Sequence, residues 1–333
     1  MMASSRLSIT IFIAIFIATL VAVALTGCAP KQDDDQRIVL GFSQIGSESA
    51  WRLANTESIK SAAATSNIDL RFSDAQQKQE NQIAAIRGFI ADKVDVIAFA
   101  PVVTTGWDAV LHEAKAAGIP VILTDRAVSA DASLYAGFLG SDFVEEGRKA
   151  ARWVVDQFPD PKSTVNIVQL QGTAGAAPAQ DRQKGFEEII GQYARFKVIR
   201  SETADFERAQ GEAVMARVLA DTKTPTGSKA PIHVVFAHND DMALGAIKAI
   251  EAAGLRPGKD ILIVSIDAVR AAFEAMIAGK LNATVECNPL MGPQLMTSVT
   301  EVVSGRPIAR RHFVDEAVFT QDTARQAIQT RKY

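Results

Sequence analysis

Four short stretches of this sequence carry side chains able to hold a small polar molecule, and each follows an apolar run. After residues 38–42 come Ser43-Gln44-Ile45-Gly46-Ser47-Glu48-Ser49-Ala50-Trp51-Arg52. After 121–124 come Asp125 and Arg126, after 234–237 come His238, Asn239, Asp240 and Asp241, and after 262–266 comes Asp267. Where such runs are strands of an open parallel sheet, ligands sit in the crevice beyond their carboxyl ends. Carboxylates accept hydrogen bonds from hydroxyls, guanidiniums donate in a fixed fork, and an indole face covers C–H groups. The mixture suits a neutral polyhydroxylated ligand, a sugar, better than a phosphate or a metal.

Each of these residues also has a structural reading. Asp125 and Arg126 fit an ion pair, the commoner fate of an isolated Asp-Arg dipeptide, and Trp51 fits the core. Asp240 and Asp241 fit caps for the periodic segment that starts at Met242, and one of them is assigned to that role. Phe206, after Ala204-Asp205, fits a hydrophobic staple for a helix near Glu207. Motifs for catalysis are absent: the sequence has no Gly-x-Ser-x-Gly elbow, no His-Glu-x-x-His and no Gly-x-x-x-x-Gly-Lys-Ser/Thr loop. His112, His233, His238 and His312 have no metal spacing. Gly172-Thr173-Ala174-Gly175 reads as a tight strand-to-helix turn rather than a phosphate cradle. Cys287 reads as a small buried hydrophobe. No cofactor and no metal are expected.

The elements that must position these side chains alternate. Strands are predicted at 38–43, 70–74, 94–101, 120–125 and 135–140, then at 165–170, 197–201, 233–237, 261–266 and 283–286. Amphipathic helices intervene, among them 79–91, with Ile83, Ile86, Phe89 and Ile90 on one face, and 242–253. This is the pattern of an α/β protein with parallel sheets, in two lobes. With 333 residues and 48% hydrophobic content the chain can bury real cores, and Lys plus Arg (35) nearly balances Asp plus Glu (38). A net charge of −3 with no basic block excludes nucleic acid as a partner.

The amino terminus is a different material. Arg6 precedes a nearly unbroken apolar run over 7–25, which closes on Leu25-Thr26-Gly27-Cys28. An uncleaved membrane anchor is one reading of such a run. The small residues before Cys28 favour the other, an export signal over 1–27. Leu25-Thr26-Gly27-Cys28 resembles a bacterial lipobox, which implies lipidation of Cys28, with 28–37 as a polar, acidic tether. Either reading places the body outside the cytoplasm.

The ordered segments 41–52, 74–82, 123–126, 170–175, 204–206, 237–246 and 265–267 resemble those of the periplasmic pentose- and hexose-binding proteins that feed ABC transporters. Within that family the sequence is most similar to the galactofuranose-binding members. The resemblance implies a type 1 periplasmic binding fold, two Rossmann-like lobes joined by three crossovers and closing over one sugar. Its lobes are expected at 38–141 plus 288–317 and at 142–287 plus 318–333, in a monomer. It implies that Glu48, Trp51, Arg52, Asp125 and Arg126 form the amino-lobe wall, faced by Arg182, Phe206, Asn239 and Asp267. The chain departs from the ribose-binding branch at Glu286-Cys287-Asn288, where a glutamine is expected, and Glu286 is a candidate contact. Lipidation is a second departure. The expected function is capture of a monosaccharide and its delivery to an inner-membrane permease, with a sugar-modifying enzyme or a receptor partner in chemotaxis or signalling as alternatives.

Overall fold

The computed structural model describes residues 37–221, 231–314 and 316–333; the expected export signal, Cys28 and nearly all of the expected tether lie outside them. The first half runs Val39–Gln44 (β1), Ala50–Thr65 (α1), Asp69–Asp74 (β2), Gln79–Ala91 (α2), Val96–Phe99 (β3), Asp108–Ala116 (α3), Val121–Thr124 (β4) and Gly137–Gly140 (β5). Next come Phe143–Gln157 (α4), Val165–Gln171 (β6), Ala177–Ile190 (α5), Phe196–Thr203 (β7), Arg208–Asp221 (α6), Val234–Ala237 (β8), Asp240–Ala252 (α7), Leu262–Asp267 (β9), Arg270–Ile277 (α8) and Ala283–Glu286 (β10). The chain ends with Gly292–Val303 (α9), Arg311–Phe313 (β11), Val318–Thr320 (β12) and Gln321–Ala327 (α10).

These strands form two six-stranded sheets, ordered β11-β5-β4-β3-β1-β2 and β12-β10-β9-β8-β6-β7. Every pairing but β10–β12 is parallel, so the chain adopts the expected two-lobed α/β fold. Parallel strands covered on both faces must be apolar throughout. Val96-Ile97-Ala98-Phe99 and Val234-Val235-Phe236-Ala237 are fully buried strands of this kind. The sequence missed β11 and β12. Arg311-His312-Phe313 is exposed at a sheet edge and has no apolar run to announce it.

The chain passes between the sheets three times: between β5 and α4, between β10 and α9, and between β11 and β12. Ser141, Cys287 and Glu316 sit on these three passages and touch. Ser141 Oγ donates to Glu316 Oε1 at 2.5 Å and lies 3.5 Å from Cys287 Sγ. Behind them α4 crosses α5 backbone to backbone. A Cβ at Gly147 would stand 2.2 Å from the Arg182 carbonyl, and one at Gly185 1.9 Å from that of Val144. Only glycine permits this approach, and it sets Glu146 of α4 against Arg182 of α5. Among the described residues no helix is long and apolar enough to cross a membrane.

Candidate functional site

Loops that follow strands of both sheets meet around one cavity. On the amino-terminal side Ser49 caps α1, accepting from Arg52 N, so that Trp51 and Arg52 enter the cavity from the first helical turn. Arg52 is the hub. Its Nε meets Glu48 Oε1 at 3.0 Å, Nη2 meets Asp125 Oδ2 at 2.6 Å, and Nη1 donates to Gln44 Oε1 at 3.2 Å. Burial works against its charge, but Asp125 and Glu48 together hold the guanidinium above its ordinary range. Asp125 follows β4 with a left-handed φ of 60°, a costly conformation for a non-glycine residue.

Arg126 is left with unused capacity. Its Nη1 donates to Val102 O at 3.1 Å, while Nε, 3.7 Å from Asp125 Oδ2, is buried without a hydrogen-bond partner. Burial, and then the neighbouring Arg52, push its pKa down to about 10, so it remains a cation at neutral pH. Glu48 Oε2 is likewise buried and unpartnered. A buried donor and a buried acceptor at one cavity wall are what hydroxyl groups satisfy.

From the other side comes Arg182, with Nε 2.7 Å from Glu146 Oε2, Nη1 donating to His238 O at 2.6 Å, and Nη2 3.9 Å from Asp267 Oδ1. Phe206 and Asp267 both have positive φ, 64° and 127°. The Phe206 ring stands over Gly172, where a Cβ would lie 1.9 Å from it, and the Arg126 guanidinium packs 5.1 Å from its centroid. Asn239 is the N-cap of α7, accepting from Met242 N at 2.9 Å, and its Nδ2 holds the Phe206 carbonyl at 3.0 Å. Burial pushes the Asp267 carboxyl well above the usual range, against the pull of Arg182.

The two sides touch. Trp51 Nε1 donates to Cys287 O at 2.6 Å, Ala50 N to Asp241 Oδ2 at 2.8 Å, Gln77 Nε2 to Glu207 Oε1 at 2.9 Å, and Thr104 N to Gly175 O at 3.0 Å. Asp241 is therefore both an early residue of α7 and a bridge, while Asp240 is inward structure, accepting from Ser265, Thr284 and Val269 N. Trp51 is at once core and cavity wall, 4% exposed.

Nine residues singled out from the sequence line this cavity: Glu48, Trp51, Arg52, Asp125, Arg126, Arg182, Phe206, Asn239 and Asp267. Glu286 does not. Successive strand residues point to opposite faces, and at the end of β10 the cavity side falls to Cys287. The Glu286 carboxylate faces away to Arg331 Nη1 at 2.7 Å and the Tyr333 hydroxyl at 3.3 Å. Sequence reasoning missed Ser49, Pro178 and Cys287 as lining residues. Pro178 lies one helical turn before Arg182, so the 3.6-residue period was a usable signal. Among the described residues, the one group of three His, Cys or acidic side chains close enough to share an ion is Glu146, Cys287 and Glu316. Arg182 already neutralises Glu146 there.

Comparison with known proteins agrees with this geometry. Residues 40–307 match the family model described as periplasmic binding protein domain. The galactofuranose-binding protein YtfQ of Escherichia coli (strain K12) is 44% identical over 297 residues, 89% of this chain and 92% of its own. A Mycobacterium smegmatis protein solved in complex with β-D-fucofuranose is 52% identical with a TM-score of 0.85, over 89% of this chain and 95% of its own. The periplasmic component of the arabinose ABC transporter from Shewanella sp. ANA-3, solved with α- and β-L-arabinofuranose, is 46% identical with a TM-score of 0.83, over 88% and 95%. Two parallel-sheet lobes, a cavity walled from both and these matches along the body of the chain lead to one assignment: the chain belongs to the periplasmic binding protein family.

Proposed function

We propose that this chain captures a monosaccharide in its furanose form, galactofuranose or a close relative, and delivers it to an ABC permease in the inner membrane. The observation that carries the reading is the cavity wall at Arg126 and Glu48, where a buried N–H and a buried carboxylate oxygen lack partners opposite the Phe206 ring. The related proteins supply the ring form. Galactofuranose, fucofuranose and arabinofuranose, named for those relatives, share a five-membered ring with the same configuration at its hydroxyls and differ in the tail on C4. Nine lining residues, Glu48 to Asp267 in chain order, are assigned to ring hydroxyls and ring faces. The lobes are taken as 38–141 plus 288–317 and 142–287 plus 318–333, which the sheet membership of β11 and β12 supports.

The chain is read as a binding protein and not an enzyme, so the sugar should be recovered chemically unchanged after long incubation. Thermal unfolding with D-galactose, D-fucose and L-arabinose, against D-glucose and D-ribose, tests the specificity, because a ligand of the folded state raises apparent stability. A shift for the first three and little for the last two is expected. ¹³C-labelled D-galactose then reports its ring form when bound; a pyranose signal would sink the furanose assignment. We read the chain as a monomer held to a membrane surface by lipid on Cys28, the motif Leu25-Thr26-Gly27-Cys28 being the support. Cys28→Ser should free the body from the membrane fraction or block signal processing, and a variant that stays lipidated refutes the anchor.

A further inference from the structure

The three passages between lobes converge on an acid pair that the sugar cavity does not use. One carboxylate oxygen from Glu146, one from Glu316 and Cys287 Sγ all lie within 4.8 Å of one another. Glu146 Oε1 is buried with no hydrogen-bond partner. We propose that Glu146 and Glu316 share one proton when the lobes are closed, so that closure on a sugar takes up a proton at the hinge. This rests on the sugar-binding reading above.

Of the cations nearest the pair, only Arg182 meets one of its carboxylates. From α5, Arg182 neutralises Glu146 alone, through Oε2 at 2.7 Å. From α4, Lys149 sends its Nζ to the Glu316 main-chain carbonyl at 2.5 Å rather than to the carboxylate. From the first and second passages, Ser141 Oγ and Asn288 N donate to Glu316 Oε1, the latter at 3.3 Å. Cys287 brings no charge, since burial pushes its thiol well above the usual range. Asp267 lies beyond Arg182, and Glu286 is already paired with Arg331 on the outer side of the third passage, so neither brings the acid pair a positive charge. Two carboxylates with one cation cannot both ionise cheaply at this separation, and a proton on one supplies the donor that Glu146 Oε1 lacks. Burial, and then the Glu146 charge, push Glu316 up to about 9, while burial raises Glu146 against Arg182.

The linkage requires that lobe rotation separate these passages and return Glu316 to water, where a glutamate has a pKa of about 4.3. The closed state then binds about one more proton than the open state at pH 7. Because the closed-state pKa is the raised one, affinity is highest in acid and falls as pH rises, by up to about tenfold per unit between pH 5 and 8.

The test is calorimetric titration of the full chain with D-galactose at pH 7 in phosphate and in Tris, whose ionisation heats differ. The expected result is uptake of about one proton in the native chain and near zero in Glu316→Gln, with the variant's affinity independent of pH. Equal heats in both buffers, or uptake that survives in Glu316→Gln, overturns the proposal. If D-galactose gives no heat in any buffer, the sugar reading fails instead, and infrared spectra at pH 7 decide the hinge. A protonated-carboxyl band that Glu316→Gln removes upholds the shared proton, and a band that Glu316→Gln leaves unchanged overturns it. The native chain in two buffers decides the matter even if the variant folds poorly.

Discussion

On the amino-terminal wall of the cavity, Arg52 is gripped by Glu48 and Asp125 at 3.0 and 2.6 Å, all three side chains from one lobe. On the opposite wall, Arg182 is gripped by Glu146 at 2.7 Å, but Glu146 also faces the passages between lobes. Both arginines are buried, and neither spends its charge on the cavity alone. The difference lies in what each partner is tied to. The amino-terminal wall is neutralised within its own lobe, by ion pairs that do not cross to the other. The carboxy-terminal wall is wired to the hinge, so its chemistry and the closing motion are one system.

The largest effect that would sharpen this contrast is on stability. Arg52→Met leaves Glu48 buried and unpaired and Asp125 with only the longer contact to Arg126, and should cost about 3–5 kcal/mol in denaturant unfolding. Arg182→Met should cost less, because the stranded Glu146 can take up a proton, and its cost should shrink further in acid. An equal or larger cost for Arg182→Met at every pH would erase the contrast. Next in size are Arg126→Ala and Asp267→Ala, each expected to weaken sugar binding by about 2 kcal/mol while the fold survives. Calorimetry on both folded variants checks this, and unchanged affinity would return these positions to structure. Trp51→Phe keeps an aromatic face but loses the indole N–H bond to Cys287 O, a loss of about 1 kcal/mol in affinity. It should also remove the sugar-induced change in tryptophan emission; a change that persists undiminished would assign the signal to Trp107 or Trp153. Smallest is Asp241→Asn, which touches no cavity residue's side chain but weakens the bond from Ala50 N across the lobes. It should shift the solution scattering profile toward the open form and lower affinity by a few tenths of a kcal/mol. An unchanged profile would show that this bridge does not hold the lobes together.

Much of the cavity was legible because a parallel sheet delivers its functional residues where an apolar run stops. Asp125, Asn239 and Asp267 all follow that rule, and β3, β4 and β8 are apolar enough to be read directly. Arg182 and Phe206 were not accessible this way; they entered through family resemblance. Nothing in the residue type foretells that Phe206 takes a left-handed backbone and turns its ring over Gly172. Glu286 misled because a strand's alternation decides which of two neighbours faces the cavity, and the end of the strand sets that phase. The hinge was the least legible part. Glu146 and Glu316 are 170 positions apart, and only the Gly147–Gly185 crossing and the third passage bring them together.

The burial of the cavity wall has a consequence in time. Trp51, Arg126, Phe206 and Asp267 are each no more than 4% exposed, so the groups that would hold a bound molecule are covered while the lobes remain together. Its residence is then clocked by how often the lobes part, and departure is a conformational event before it is a diffusive one. Two sugars of unequal affinity must wait for the same door. A partner that pulled the lobes apart would set the rate of hand-over by its own action, whatever the strength with which the sugar is held.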